Sequence, residues 1–376
     1  MRARKSILSF AILLAAGTAQ AQSPRKLIID QDARGPATTN QQAILVFLQS
    51  PVAEMLGITI VSGDQWRDEE VAHTLRMLEI IGRRDVPVVP GAVFPLINRR
   101  EFIQRWEKLN GKVTYQGAWY HRVGEFRGAW KTGKYHEPFE VPPLVEGNPT
   151  IKPAEEDAAH FIIRMLHKFP HEVTIYAGGP LTNIAQAISL DPQVPELAQE
   201  LVVMGGSIAP QVQVEQATTN RREFNFWWDP EATHIVLTAS WRKITLTTVD
   251  ISMKTRLTPQ MIKELGKSPT PAAQYIAEYG DEEYMRDELA AASWLDPSII
   301  TKETQLYIDV DYSHGAGYGN TLAWTAGSEP GLGEQLVRVQ QELDLEKLNR
   351  MFMELMTRPT PGASNPASLI PLHGKE

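Results

Sequence analysis

Short apolar runs alternate with amphipathic stretches along most of the chain. The runs are continuous rather than alternating, which is typical of strands covered on both faces in a parallel sheet. Between them, apolar residues recur three and four positions apart and predict helices. The predicted strands are Leu27–Ile29, Met55–Ser62, Val86–Val89, Val173–Ala177, Leu201–Met204 and Ile244–Thr248, and the clearest predicted helices are Glu69–Gly82 and Ala154–Lys168. This alternation predicts an α/β fold with a mainly parallel central sheet flanked by helices.

Two regions depart from this alternation. Residues 98–150 are rich in Trp, Tyr, Gly, Lys and Arg, and we expect a long insertion at the edge of the sheet. Its aromatic side chains either line a lid over a ligand or pack a small subdomain. The tail, residues 357–376, is rich in proline and is predicted to be flexible. Residues 22–356 form one predicted domain, because their length suits a single large core.

The first 21 residues have the pattern of a secretory signal. Arg2, Arg4 and Lys5 are followed by an apolar stretch from Ile7 to Ala16 and by small residues that end at Ala21. We expect cleavage after Ala21 and a soluble periplasmic or secreted protein, without a membrane partner once the signal is removed. An uncleaved anchor is the alternative.

Charge and cysteine content exclude several classes of function. The formal net charge is −8, and loss of the signal would shift it to about −11. An acidic protein of this kind is not expected to bind nucleic acid or an anionic membrane. The chain contains no cysteine, which excludes disulfides and thiolate chemistry. The acidic balance is compatible with a site that gathers carboxylates around a cation.

The first predicted strand leads directly to two carboxylates, Asp30 and Asp32. Ligands of open α/β sheets bind at the carboxyl ends of the strands, so these residues fall where chemistry is expected. Four later segments accompany this pair in a fixed order. Together the five segments resemble the inosine–uridine-preferring nucleoside hydrolase family over nearly all of residues 26–325. They are LIIDQD at 27–32, ITIVSGDQW at 58–66, AGGPLTNIAQAISLDP at 177–192, MGGS with EFNFWWDPEA within 204–232, and SWLDP at 293–297.

The resemblance implies a calcium-dependent enzyme that hydrolyses nucleosides to ribose and free base. It implies that Asp32 is a calcium ligand and the base that deprotonates the attacking water. Asp30 supports the metal cluster, Asp296 is the late calcium ligand, and Gly178 offers a backbone carbonyl to the metal. Physical chemistry agrees, because a hard cation prefers such oxygens and can hold both ribose hydroxyls and a water molecule.

The resemblance also implies residues that contact the nucleoside. Glu223 and Asn225 match residues that bind ribose hydroxyls. Asp64 stands where the family has asparagine and lies near the ribose. Asn183 lies in a strand-to-helix turn beside the site and is expected to contact the substrate, with simple helix capping as the alternative.

The first departure from the family pattern lies after the Asp pair. Two adjacent Asp residues of the family correspond to Thr39 and Asn40 here, and the loop Ala33–Thr38 is about three residues longer. Asn40 can still offer calcium an amide oxygen, and Thr39 can bond a ribose hydroxyl more weakly than a carboxylate would. We therefore expect lower affinity for calcium.

The second difference from the family pattern concerns how the base leaves. Many members carry a histidine immediately before the late Asp, where it protonates the leaving base, and the corresponding residue here is Leu295. Trp294 could instead activate the base by stacking, although a core position is an equally open alternative.

These departures leave three functions open. The main prediction is a ribonucleoside hydrolase, and the alternatives are a nucleoside-binding pseudoenzyme and a hydrolase of a non-standard riboside. Base preference stays undetermined. The family resemblance implies a homodimer or homotetramer.

Overall fold

A single nine-stranded sheet runs through the computed structural model, which describes residues 24–113, 115–119, 136–209 and 222–371. The strands are β1 (Arg25–Gln31), β2 (Ala53–Ile60), β3 (Val88–Pro90), β4 (Val173–Ala177), β5 (Glu200–Met204), β6 (Ile244–Thr247), β7 (Ile300–Val310), β8 (Thr321–Trp324) and β9 (Gln335–Leu343). Their order is β3-β2-β1-β4-β5-β6-β9-β7-β8, and all pairings from β3 to β9 are parallel. The predicted α/β fold class is therefore confirmed.

Helices cover both faces of this sheet. They are α1 (Thr39–Leu48), α2 (Arg67–Ile81), α3 (Arg100–Asn110), α4 (Ala158–Lys168), α5 (Thr182–Leu190), α6 (Val194–Leu197), α7 (Phe224–Trp228), α8 (Pro230–Leu237), α9 (Val249–Ser252), α10 (Pro259–Leu265), α11 (Pro271–Tyr279), α12 (Arg286–Leu295) and α13 (Leu345–Met356). Among the described residues, none of these helices has the length and apolar character needed to cross a bilayer.

The position of β1 in the sheet creates a crevice. Strand β2 lies on one side of β1 and β4 lies on the other, so the chain leaves the carboxyl ends of β1 and β4 toward opposite edges. Ligands of open α/β sheets bind at such a switch point. Asp32 follows β1 and Gly178 follows β4, which places both residues at this crevice.

Helices α1 and α12 lie on the same face of the sheet and pack against each other. Every residue of α1 is buried, and so are the residues of α12 from Asp287 to Trp294. Such all-round burial is typical of helices in the centre of a large core. Because the two helices pack together, Thr39 in the first turn of α1 meets Asp287 in the first turn of α12.

Three strands lie outside the predicted set. Strand β7 pairs antiparallel with both β8 and β9 and extends the parallel sheet at one edge. The exposed positions along β7 and β9 are mostly polar, which fits antiparallel strands with one solvated face. Runs with polar positions of this kind carry a weaker strand signal than the continuous apolar runs.

Part of the tail, which is predicted to be flexible, makes hydrogen bonds with helix α2, and its flexibility stays a prediction. The amide of Ser364 donates to the carbonyl of Gly82 (2.7 Å), and the amide of Ala367 donates to the carbonyl of Glu79 (2.8 Å). The guanidinium of Arg76 donates to the carbonyl of Ser368 (2.9 Å). The segment is held because helix α2 ends beside it and supplies partners for its backbone. Residues 372–376 and the predicted signal, residues 1–21, lie outside the described residues.

The described part of the insertion packs largely against itself and α7. It contains α3 and a short 3₁₀ turn, Gly117–Trp119. Trp119 stacks on Trp228 with ring centroids 4.1 Å apart, and Trp106 belongs to the same buried aromatic cluster. These side chains form the core of a small subdomain, which was one of the two expected roles. Tyr115, by contrast, faces a pocket.

Candidate active site

A pocket with about 670 Å³ of empty space opens at the crevice between β1 and β4. Six acidic, amide or hydroxyl side chains line it: Thr39, Asn40, Asp64, Glu223, Asn225 and Asp287. Three arginines join them: Arg34, Arg222 and Arg286. Its apolar lining residues are Met204, Phe224, Val249 and Met253. A concave site with a few converging polar groups and an apolar part is typical of a small-molecule site.

Asp32 lies directly behind this lining. One of its carboxylate oxygens accepts a hydrogen bond from the side chain of Asn40 (2.9 Å), and the other accepts one from the amide of Asp64 (3.0 Å). Burial, together with the carboxylates of Asp64 and Asp287, raises the pKa of Asp32 well above its ordinary value. A Cβ at Gly63 would lie 2.2 Å from the carboxylate, so only glycine allows this close approach.

Asp287 stands at the start of α12 and meets residues that follow β1. Its carboxylate accepts a hydrogen bond from the side chain of Gln31 (3.2 Å) and lies 3.2 Å from the hydroxyl of Thr39. Burial raises the pKa of Asp287 to about 7, with the nearby Asp64 carboxylate adding to the effect. The charge of Asp287 also contributes to the raised pKa of Asp32, so the two buried carboxylates lie close enough to repel each other.

Glu223 and Asn225 reach the pocket from a tight turn into α7. The Glu223 carboxylate accepts hydrogen bonds from the amides of Gly206, Asn225 and Phe226 at 2.9–3.1 Å, and thereby caps the helix. The Asn225 side chain donates to the carbonyl of Gly178 (2.9 Å). These contacts fix both side chains at the pocket wall, as expected for residues that hold a ligand in one orientation.

Asp64 is held from two directions. It forms an ion pair with Arg34 (3.2 Å) and accepts a hydrogen bond from the hydroxyl of Tyr115 (2.6 Å). Arg34 also donates to Tyr115 (3.1 Å) and lies 3.5 Å from Glu283. Arg34 therefore places one fixed positive charge among the acids of the pocket. The long loop after β1 brings Arg34 here, and the insertion supplies Tyr115.

Asp30 and Asn183 lie behind the pocket rather than in its wall. The carboxylate of Asp30 accepts hydrogen bonds from Thr59 (2.5 Å) and Asn183 (2.7 Å), and both residues are fully buried. Asn183 also accepts a hydrogen bond from the amide of Ala92 (2.7 Å). This network ties strands β1 and β2 to the segments that follow β3 and β4, so Asn183 has a supporting role instead of the expected substrate contact.

The expected late calcium ligand, Asp296, does not reach the pocket. It follows the C-terminal end of α12, where its carboxylate accepts a hydrogen bond from the amide of Ser298 (3.0 Å) and pairs with Lys347 (2.8 Å). Asp287, at the N-terminal end of the same helix, lies beside Thr39 instead. The Asp296–Pro297 pair is therefore a cap of the following 3₁₀ turn, a role for which Asp before Pro is well suited.

The expected stacking residue, Trp294, is also outside the pocket. Its indole N–H donates to Glu200 (2.7 Å), and the guanidinium of Arg25 lies 3.6 Å from the ring centroid. Trp294 is 5 % exposed and packs in the core, which was the alternative role. Leu295 packs against the same core. The residue that precedes the acid in the pocket is Arg286, so Leu295 no longer bears on departure of the base.

Sequence reasoning missed Asp287, Arg34 and Arg286. Asp287 and Glu288 stand in the first turn of a helix, where acidic residues are common for electrostatic reasons alone. The available signal for Asp287 was that acidic residues open the helix that ends in the SWLDP segment. The two arginines carried no signal, because a cation near a predicted cation site contradicts the expected chemistry.

The donors in the pocket fit a hard divalent cation with two carboxylates. Asp32 accepts a hydrogen bond from the Asn40 side chain (2.9 Å), and Asn40, Gly178 and Asp287 line the same pocket, where they offer oxygens of the kinds that calcium prefers. A cation would also relieve the repulsion between the two buried carboxylates. Within the described ranges, no group of three or more His, Asp or Glu side chains is arranged to hold a metal. The two-carboxylate set predicts weak rather than tight binding.

Comparison with known proteins identifies the relatives of this chain. The family model described as inosine-uridine preferring nucleoside hydrolase matches residues 27–350. An inosine-uridine preferring nucleoside hydrolase of Crithidia fasciculata is 27 % identical over 349 residues, which cover 89 % of this chain and 98 % of the relative. Uridine nucleosidase 1 of Arabidopsis thaliana is 29 % identical over 341 residues, covering 85 % and 90 % respectively.

Solved structures support the same fold. A plant nucleoside hydrolase superposes with a TM-score of 0.69 at 22 % identity, covering 89 % of this chain and all of the other. A purine-preferring ribonucleoside hydrolase of Gardnerella vaginalis gives a TM-score of 0.68 at 21 % identity, covering 89 % and 98 %.

Proposed function

The chain belongs to the inosine-uridine preferring nucleoside hydrolase family and is an N-glycosyl hydrolase, and from this premise we propose that it hydrolyses ribonucleosides to ribose and free base in the pocket beside β1 and β4. One observation carries the proposal. Asp32 and Asp287 are far apart in sequence, yet Asp32 lies directly behind one pocket and Asp287 lies in its wall, together with Thr39, Glu223 and Asn225.

Asp32 is the proposed general base. Hydrolysis of an N-glycosidic bond builds positive charge on the ribose ring while water attacks the anomeric carbon. A carboxylate that accepts the proton of that water works best when its pKa lies near the working pH. Burial raises the pKa of Asp32 in this direction. Asn40 and the Asp64 amide hold the carboxylate in one orientation.

The remaining polar side chains hold the sugar. Glu223, Asn225 and Asp64 each lie at the pocket wall, fixed by their own hydrogen bonds, and can accept or donate bonds to ribose hydroxyls. Thr39 takes a similar part from the start of α1. Fixing the ring in this way favours the geometry of the oxocarbenium ion, since binding that is stronger in the transition state raises the rate.

We propose calcium as the cofactor, held by Asp32 and Asp287 with oxygens of Asn40 and Gly178. When bound, a hard cation supplies positive charge that lowers the pKa of water and grips vicinal hydroxyls. Two carboxylates give a smaller negative charge than a set of three or four. The expected affinity is therefore lower, in line with the replacement of two acids by Thr39 and Asn40.

Release of free base from a panel of ribonucleosides tests this proposal. Purified full chain is incubated with each nucleoside in calcium or in chelator, and bases are separated by chromatography. We expect calcium-dependent release from at least one nucleoside, and none from Asp32→Asn. Asp311→Asn, outside the pocket lining, is the matched acidic control and should keep full activity. Absence of release from every nucleoside in calcium would overturn the proposal.

Location and assembly complete the proposed function. We propose that residues 1–21 are a cleaved signal and that the enzyme works in the periplasm or outside the cell, where it releases bases from nucleosides. Edman sequencing of protein from the periplasmic fraction should begin at Gln22. We also propose a homodimer or homotetramer, which light scattering after size-exclusion chromatography tests.

A further inference from the structure

Arg286 is the first residue of α12 and lies at the pocket wall next to Asp287. Its guanidinium lies 5.2 Å from the centre of the Tyr284 ring, and within the described parts of the chain it makes no hydrogen bond and no ion pair. Arg34, in the same pocket, is bound by Asp64, Tyr115 and Glu283. Arg286 is thus a half-buried cation whose donors are available to a ligand.

The surroundings of Arg286 indicate which part of a nucleoside it meets. The acids and amides of the pocket cluster around Asp32, Asp287 and Asn225, which the proposed function assigns to ribose. The apolar lining residues, Met204, Phe224, Val249 and Met253, suit the flat face of a base. The charge of Arg286 acts on the carboxylates of Glu223, Glu283 and Asp287, so its guanidinium lies near these acids, in the pocket that the apolar residues also line.

We propose that Arg286 binds the leaving base and selects 6-oxopurine ribonucleosides over adenosine. The inference rests on the proposed function and names the substrate of the same site. A guanidinium presents two parallel N–H donors, which match the N7 and O6 acceptors of a 6-oxopurine. Adenine offers N7 beside an amino group, so one donor of Arg286 would face another donor. A pyrimidine offers only one acceptor at a time.

The same contact assists departure of the base. As the glycosidic bond breaks, its electron pair moves to the base nitrogen and negative charge spreads to N7 and O6. Arg286 stabilises this charge without giving up a proton, because its pKa lies far above neutrality. The oxygen of water bonds to the anomeric carbon, its proton goes to Asp32, and the base anion takes a proton from solvent. Arg286 therefore acts electrostatically on the leaving group.

Arg286→Gln tests the proposal. A glutamine side chain pairs with N6 and N7 of adenine, so the substitution should reverse the preference and not merely weaken it. We expect the inosine-to-adenosine ratio of kcat/KM to fall about 10- to 100-fold, the discrimination of one bidentate contact. Arg256→Gln is the matched control, because Arg256 lies over the same Tyr284 ring (4.7 Å) and is not among the pocket-lining residues.

Binding separates failure of this inference from failure of the proposed function. In the Asp32→Asn background, titration calorimetry with inosine and adenosine should show tighter binding of inosine, and Arg286→Gln should reverse the order. An unchanged ratio in both kinetics and binding would overturn the role of Arg286 even if hydrolysis occurs. An equal effect of Arg256→Gln would also overturn it. Absence of turnover with a normal binding preference would instead count against the proposed hydrolysis alone.

Discussion

The two ends of helix α12 carry similar residues and have different roles. At its N-terminal end, Asp287 is buried beside Thr39, and its charge contributes to the raised pKa of Asp32. At its C-terminal end, Asp296 is partly exposed and pairs with Lys347. One end faces the carboxyl ends of the parallel strands and the other faces away from them. Location relative to the switch point of the sheet, and not the local motif, therefore decides which acid can serve the site.

The largest expected difference between the two ends is catalytic. Asp287→Asn should lower kcat/KM about 100-fold or more, the scale of losing one electrostatic group at a reacting centre. Asp296→Asn should leave kcat/KM within about twofold, because surface ion pairs contribute little. Steady-state kinetics with the best nucleoside measures both. Similar losses in the two variants would remove the distinction.

Calcium dependence should differ in the same direction. Asp287→Asn removes one of two carboxylates and should raise the calcium concentration for half-maximal activity about 10- to 100-fold, or abolish the response. Asp296→Asn should respond as the unmodified chain does. Calcium titrations after treatment with chelator provide the measurement. A higher calcium requirement for Asp296→Asn would contradict this, because it would indicate a metal ligand at the C-terminal end of α12.

Aromatic residues extend the comparison to packing. Trp294→Phe loses the bond to Glu200 and part of the contact with Arg25, and should lower the free energy of unfolding by about 1–2 kcal/mol with KM unchanged. Phe224→Leu alters the pocket wall and should raise KM several-fold. Denaturant unfolding and kinetics on both variants test this. A changed KM in Trp294→Phe would return that residue to the site.

The two acids should also change stability against pH in opposite directions. Burial raises the pKa of Asp287 to about 7, so in the calcium-free protein this group destabilises the fold increasingly as pH rises from about 4 to 7. Asp287→Asn should therefore raise Tm at pH 8 and leave it unchanged at pH 4. The hydrogen bonds from Lys347 and Ser298 lower the pKa of Asp296, so its stabilising contribution is present at neutral pH and fades as pH falls. Asp296→Asn should lower Tm slightly at pH 8, and thermal melts from pH 3 to 8 follow both trends.

The fold was predictable because its strands are covered on both faces. Strand β4 begins and ends at the predicted residues, because a buried parallel strand is a continuous apolar run in the sequence. The pocket was predictable where a residue directly follows such a strand, as Asp32 and Gly178 do. Asp287 was harder to find because its place depends on how α12 packs against α1, which periodicity does not reveal. Arg34 and Tyr115 meet only through a long loop and an insertion.

The composition of the pocket wall has a consequence for folding. Its residues come from the segments after β1, β2, β4, β5 and β6, from the insertion and from α12, so no short fragment of the chain contains a usable binding surface. Many of these contacts are distant in sequence, and they form only when most of the chain is in place. A bound nucleoside must therefore favour the complete native state over partly unfolded forms, by RT ln(1 + [L]/Kd). Resistance to protease should therefore rise along the whole chain when the pocket is filled, because the substrate stabilises the same enzyme that hydrolyses it.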